Sequence, residues 1–426
     1  MNLLTLSWKN LFHKPLAFIL SLTLFALGTG LVSLLLLVNR QLEDKFEKNL
    51  AGIDLVIGAK GSPLQLILSA MYHIDAPTGN IPISEARAFL NPRHPFIQTA
   101  VPLSLGDSYR GFRIVGTNSS FLDLYQAQIE KGRLFEKVME VVAGATVAQR
   151  LHLKIGDTFY SAHGLSDDKD LEHRDAGTFV LCGILRPTGS VTDQLLLTPT
   201  QSIWAVHEHA LLAAPEAAPA EKEEHHGVDP ENPTDINRPL IAFPDKSITS
   251  ILIRFKGRNI QTLNMQRAIN ENTGLQAATP AIEITRLYSL LGVGADALRW
   301  LAFIIIGVSG LSIFLSLYAS LKERRYEMAL MRTMGAAPAR LFAMIILEGL
   351  LIAVFGYLCG MALSHGGMFL LADFMQDAYR YTFSGALFLQ EEGYLLLGAL
   401  GVGFLAAIIP AIQAGNTDIH QTLSEG

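Results

Sequence analysis

Cysteine is nearly absent from this chain, with two in 426 residues. Cys182 falls in a mixed polar segment and Cys359 inside an apolar run, so the two are not expected to pair. Any large domain here must therefore be held by its own core, which the length allows. Charge is also scarce: Asp, Glu, Lys and Arg make up only 17% of the residues while half are apolar, a balance unlike that of a soluble protein. The motifs of chemistry are missing too. There is no Ser–Lys or Ser–His arrangement and no G-x-x-x-x-G-K-[ST] loop. The nearest approach to such a loop, Gly58-Ala59-Lys60-Gly61-Ser62, lacks the spacing that lets successive amides cradle phosphates and reads as a structural turn. The triplet His207-Glu208-His209 misses H-E-x-x-H because position 211 is Leu, which removes a metalloprotease. The chain is thus expected to catalyse nothing, to bind no cofactor of its own and to have no nucleic-acid partner.

What the sequence has instead is long apolar runs. A bilayer core needs roughly 20 helical residues, and 15–39, 300–321, 341–371 and 393–412 supply four such windows. Lys9 and Lys14 precede the first, and the loop 322–340 carries five Lys/Arg against two Glu, whereas 373–392 carries four acids and one Arg. The positive-inside rule then places both termini and the 322–340 loop in the cytoplasm, with membrane lipids around the runs. The segment 40–296 is left outside. The first run is too long for a cleaved signal peptide and no small-x-small site closes it, so an uncleaved anchor is expected. The expected fold class is an α-helical membrane protein with four transmembrane helices and a large mixed α/β extracytoplasmic domain between helices 1 and 2.

Residues 1–14 place Leu3, Leu4, Trp8, Leu11 and Phe12 on one stripe, as in an amphipathic helix lying in the interface. The loop 322–340 has a similar character. Arg324, Arg325 and Arg332 mark a polar side, and Tyr326, Leu330, Thr333 and Met334 share one helical face. Gly335 suits a left-handed cap and Pro338 the first turn of the next helix. Such a helix either rests on lipid phosphates or docks a soluble partner. Within the runs, Ser309, Ser312 and Ser316, and Gly356, Gly360 and Ser364, have spacings that let helices approach closely. Glu348 is the one acid inside a run, placed to snorkel or to pair with Arg340 or Arg332, and a structural or coupling role fits it better than a proton relay.

Outside, 54–81 reads as a strand, a glycine turn and a short apolar helix whose face at 64–71 could receive a lipid or a partner. The stretch 148–191 alternates like strands, with Gly156-Asp157 as a tight turn. The segment 205–238 is rich in Ala, Pro and Glu and reads as a mobile insert; its His207, His209, His225 and His226 are candidate zinc ligands without rigid spacing.

Several of these residues carry a family resemblance. Glu327-Met328-Ala329, Leu330-Met331-Arg332 and Met334-Gly335-Ala336 are similar to the cytoplasmic loop of the FtsX/MacB/LolC-type permeases of ABC transporters, and Leu347-Glu348-Gly349-Leu350-Leu351 resembles the start of their third span. Ala148-x-x-Leu151-x-Leu153-x-Ile155-Gly156-Asp157, Gly183-Ile184-Leu185 and Thr188-Gly189-Ser190-x-x-Asp193 resemble the extracytoplasmic region of the MacB-like, type VII members. Pro410-Ala411-x-x-Ala414 resembles the family's closing pattern, although the tail 413–426 bears Asp418 and Glu425 where basic residues are usual. The resemblance implies a coupling helix formed by Arg324, Arg325, Glu327, Leu330, Met331, Arg332, Met334 and Gly335, seated in a groove of a separate ATPase that binds ATP and Mg. It implies a homodimer or heterodimer of permeases in the bacterial inner membrane and a periplasmic domain on a stalk, with a possible periplasmic adaptor or substrate-binding protein. The work would be mechanotransmission, exporting or extracting a lipoprotein, peptide or hydrophobic compound. Two other classes stay open: a non-transporting scaffold or sensor, and a zinc-handling component working through the histidine-rich insert.

Overall fold

The computed structural model of the protein describes residues 3–11, 15–163, 178–213, 236, 238–379 and 383–416. The chain divides into two compact units, Met1–Glu43 with Ser289–Gly426, and Asp44–Tyr288.

The first unit is helical. Four of its helices are long and apolar enough to cross a membrane: Pro15–Leu50, Pro280–Glu323, Pro338–Ala372 and Gln390–Gly415. Each is longer than the apolar window read from the sequence, because charged turns extend helices whose apolar part alone sets a hydropathy window. Pro15 and Pro338 open their helices, where a missing N–H costs nothing. Phe25, Ile313, Leu317, Met344, Ile345 and Ile352 form the core between them. The first and third helices cross closely at Gly30 and Gly360. A Cβ on Gly30 would stand 2.9 Å from the Gly360 carbonyl, and one on Gly360 would meet Thr29 Oγ1 and, at 2.8 Å, the Ala26 carbonyl. Gly356 faces Phe25 in the same seam. On the second helix Ser312 Oγ lies 2.9 Å from Ser21 Oγ, Ser309 is buried and bonds its own helix at Ile305 O, and Ser316 is half-buried.

The second unit is α/β, and in sequence it runs from the end of the first long apolar helix to the start of the second. A four-stranded antiparallel sheet runs in the order Leu275–Ala278, Leu55–Ala59, Ser250–Phe255, Ile97–Leu103. Its central strand Leu55–Ala59 is apolar on both faces and buried along nearly its whole length, as a covered strand must be. A second, eight-stranded sheet is mixed, with Phe179–Leu185 parallel to Glu140–Ala143 and Leu196–Pro199 parallel to Phe112–Thr117. The helix Ile260–Asn272 starts at Asn259, whose side chain accepts from Thr262 N at 2.8 Å while Thr262 Oγ1 accepts from Asn259 N at 2.9 Å.

Two sequence expectations change here. The apolar face at 64–71 is not a receiving surface: Leu66, Ile67, Ala70 and Met71 are buried in the core with Val56, Val101 and Leu103. The insert 205–238 is not wholly coreless, since the helix Thr200–Ala213 takes in its first residues and Val206 is fully buried. Propensity said little at this point because tertiary packing of the helix on Phe112 and Ile114 decides it. The glycine turn is structural, as expected. Ser62 caps the helix Pro63–Ala70 through Gln65 N, and Lys60 Nζ donates to the carbonyls of Asn270, Thr273 and Leu275, neutralising a helix C-terminus.

Candidate functional site: the amphipathic helix and its buried carboxylate

The helix Arg325–Thr333 follows Arg324, where the preceding helix Pro280–Glu323 breaks. Its end is a Schellman turn: Ala336 N donates to Met331 O at 3.0 Å and Gly335 N to Arg332 O at 3.0 Å, with Gly335 at φ +95°. Nothing lies within 4 Å of where a Gly335 Cβ would sit, so backbone conformation alone selects glycine here. Pro338 then opens the next helix. The punctuation read from Gly335 and Pro338 is present in the structure.

The helix has two faces. Met328 and Ala329 are fully buried, and Met331 is half-buried against the same core as Leu317 and Met344. On the other side Tyr326 is 52%, Leu330 47% and Met334 81% exposed, with Arg325, Glu327 and Thr333 exposed beside them. An apolar stripe ringed by charge is therefore presented outward. Arg332 is half-buried and Arg340 exposed. The expected polar side is thus split, because Arg324 turns inward and is only 8% exposed.

Arg324 turns inward toward Glu348. Glu348 is 2% exposed, and its Oε1 accepts from Asn10 Nδ2 at 2.7 Å and stands 3.7 Å from Arg324 Nη1. Arg324 Nε also donates to Glu327 Oε2 at 3.2 Å. Asn10 belongs to the helix Leu3–Leu11, which is held to the third span a second time by Ser7 Oγ donating to Met344 O at 3.2 Å. Glu348 is therefore paired with Arg324 rather than with Arg340 or Arg332. A buried charge left alone costs several kcal/mol, and this one joins three elements: the N-terminal helix, the third span and the start of the short helix. Sequence reasoning missed Asn10, and it placed Arg324 on the polar side of the short helix rather than against Glu348. The signal available was the lone acid itself, which requires a donor set from somewhere in the fold.

The other predicted site residues do not gather here. His207 lies on the helix Thr200–Ala213 with its Nε2 3.6 Å from Asp107 Oδ1, and Ser161 Oγ donates to Asp107 Oδ2 at 3.4 Å. His209 is on the same helix, while His225 and His226 lie outside the described residues. Among the described residues no three His, Cys, Asp or Glu side chains come together as metal ligands would. In the second unit a cleft of about 640 Å³ is lined by Asn118, Phe135, Lys137, Gln201 and Arg238 among others.

Two family models match the chain. Residues 300–419 match the FtsX-like permease C-terminal model, which takes in the short helix, Glu348, the last two long helices and the part of Pro280–Glu323 from residue 300 onward. Residues 18–224 match the MacB-like periplasmic core domain. Together the two matches take in about three quarters of the chain.

Proposed function

The chain belongs to the FtsX/MacB-type ABC permeases, and from that premise we propose that it is the membrane subunit of a mechanotransmitting ABC system, driven by a separate cytoplasmic ATPase. What supports this reading most is the short helix Arg325–Thr333. Its inner face is fixed by Met328 and Ala329 in the core, and its outer stripe of Tyr326, Leu330 and Met334 is left for a partner. A helix laid in a groove uses such apolar anchors for affinity and flanking charges for register. In this reading the short helix and both termini face the cytoplasm, the second unit stands in the periplasm of a bacterial inner membrane, and two permease copies, identical or not, bind two ATPases. Movement delivered to the short helix passes through Arg324 and Glu348 to the third span and the N-terminal helix as a shift of packed helices. The load at the far end is a lipoprotein, a peptide or a hydrophobic compound, with an adaptor or binding protein beside it.

The test uses the full chain purified with its ATPase. Tyr326→Ala with Leu330→Glu is expected to weaken the complex at least about tenfold, as loss of a central anchor does, and to abolish chain-dependent stimulation of ATP turnover. Unchanged assembly and turnover would sink the proposal. Met331 is unsuitable for this purpose because it packs into the permease's own core.

A further inference from the structure

The last long helix, Gln390–Gly415, contains a second hidden acid, Glu392, which is 3% exposed. Its Oε1 accepts from Ser33 Oγ of the first helix at 2.9 Å, and Ser33 Oγ lies 2.8 Å from Ser364 Oγ of the third. Its Oε2 accepts from Leu389 N at 3.0 Å, and its backbone carbonyl accepts from Tyr357 Oη at 3.1 Å. Facing Oε1 at 3.2 Å is Nε2 of His365, from the third helix. The His365 ring packs on Phe388 with centroids 4.5 Å apart.

The other nitrogen of that ring decides the chemistry. His365 Nδ1 lies 2.6 Å from the carbonyl oxygen of Gly385. A carbonyl only accepts, so Nδ1 carries the ring hydrogen, and in a neutral imidazole Nε2 would then be a bare lone pair aimed at a carboxylate oxygen. Nε2 is buried and has no hydrogen-bond donor to turn to. Two acceptors at this distance in a site closed to water repel each other, and one proton placed between them turns repulsion into a charge-assisted bond. The neighbours supply no substitute. The first helix presents Ser33, the third Tyr357 and Ser364, the 383–389 segment Phe388, and the fourth helix Glu391, which is exposed. Among the described residues no Lys or Arg pairs with Glu392.

We propose that His365 and Glu392 form a one-proton binding site that clasps the first, third and fourth membrane helices and the 383–389 segment when the proton is bound, and loosens when it is released. The proton comes from water and returns to it. Whether it rides on the imidazole or on the carboxyl, the bound state holds one more than a neutral imidazole beside a carboxylate. The site is independent of the ATPase reading and is tested without a partner.

The experiment is hydrogen exchange of the full chain in lipid nanodiscs, read on peptides covering 383–392 and corrected for the intrinsic pH dependence of exchange. Protection is expected to fall as pH rises, by at most about tenfold per pH unit, the slope that release of one proton sets. In Glu392→Gln the amide donates to Nε2 without any proton, and the fall disappears. Ser33→Ala loses a hydrogen bond but no titratable group and keeps the fall. A wild-type chain with flat protection, a Glu392→Gln variant with the wild-type slope, or a Ser33→Ala variant that loses it would each overturn the proposal.

Discussion

Glu348 and Glu392 are hidden to nearly the same degree, 2% and 3% exposed, yet they are held by different means. Glu348 faces the guanidinium of Arg324, a group that stays charged at any pH a cell meets, with Asn10 as a neutral donor. Glu392 faces an imidazole, which exists in neutral and charged forms, and the Ser33 hydroxyl. The first arrangement suits a joint that keeps one state. The second suits a joint whose strength depends on its surroundings. Burying a carboxylate thus fixes only that it must be answered, and the answering group decides whether the contact is permanent or conditional.

The sharpest way to break this contrast is to remove the permanent partner. Arg324→Ala leaves Glu348 buried without its cation and is expected to cost about 3–5 kcal/mol in the membrane unit, read as a lower melting temperature of the full chain in detergent. Adding Glu348→Gln to it should restore most of the loss. Equal instability of the single and double variants would show that Arg324 is not answering Glu348.

The next test uses a buried histidine that has no carboxylate. His73, in the second unit, lies beside Arg113, whose Nε donates to the His73 carbonyl at 2.8 Å. Burial, and then the Arg113 charge, push its pKa from 6.5 down to about 3. The folded chain refuses a proton that the unfolded chain accepts below about 6.5, so His73's contribution is complete above that value and is lost as pH falls toward about 3. At about pH 5 the second unit should be roughly 2 kcal/mol less stable than at about pH 7 on this account, and His73→Gln should flatten the profile in denaturant titrations. A profile unchanged by the substitution would remove His73 as the cause. Above about pH 6.5 His73 is silent, so a pH dependence seen there does not come from it.

The smallest effect separates chain direction from charge at the Arg324 end. Gly335→Ala forces a side chain into left-handed backbone with no clash to relieve, and should cost about 1 kcal/mol. Thermal melting should show that modest loss while Glu348 remains fully paired. A neutral outcome would mean that the Schellman turn gives way readily there.

Much of this was legible in the residues. Runs of bilayer length with at most one charge give the four long apolar helices, Gly335 and Pro338 give the stop and restart of the short helix, and the small residues around Gly360 give a close crossing. The partners of the hidden acids were not legible. Periodicity showed that Arg325–Thr333 has two faces but not which one is buried, because that depends on a core supplied by other helices. Asn10 and Glu348 meet across more than three hundred residues, and no local pattern records such a meeting. Glu392 was read as a loop charge for a simple reason: a window chosen for lacking charge ends before the acid in the first turn of a helix, which is where helix dipoles favour it. The zinc reading rested on His209, His225 and His226, whose side chains lie outside the description, and His207 faces Asp107.

Because backbone meets backbone at Gly30 and Gly360, a side chain added at either position would force the first and third helices apart. At about 1.5 Å per residue, about 18 Å of helix separates Gly360 from Glu348 and about 8 Å separates it from His365. Were this helix to tilt as a rigid rod about that crossing, a displacement at Glu348 would arrive at His365 reversed in direction and less than half as large, as on the short arm of a lever.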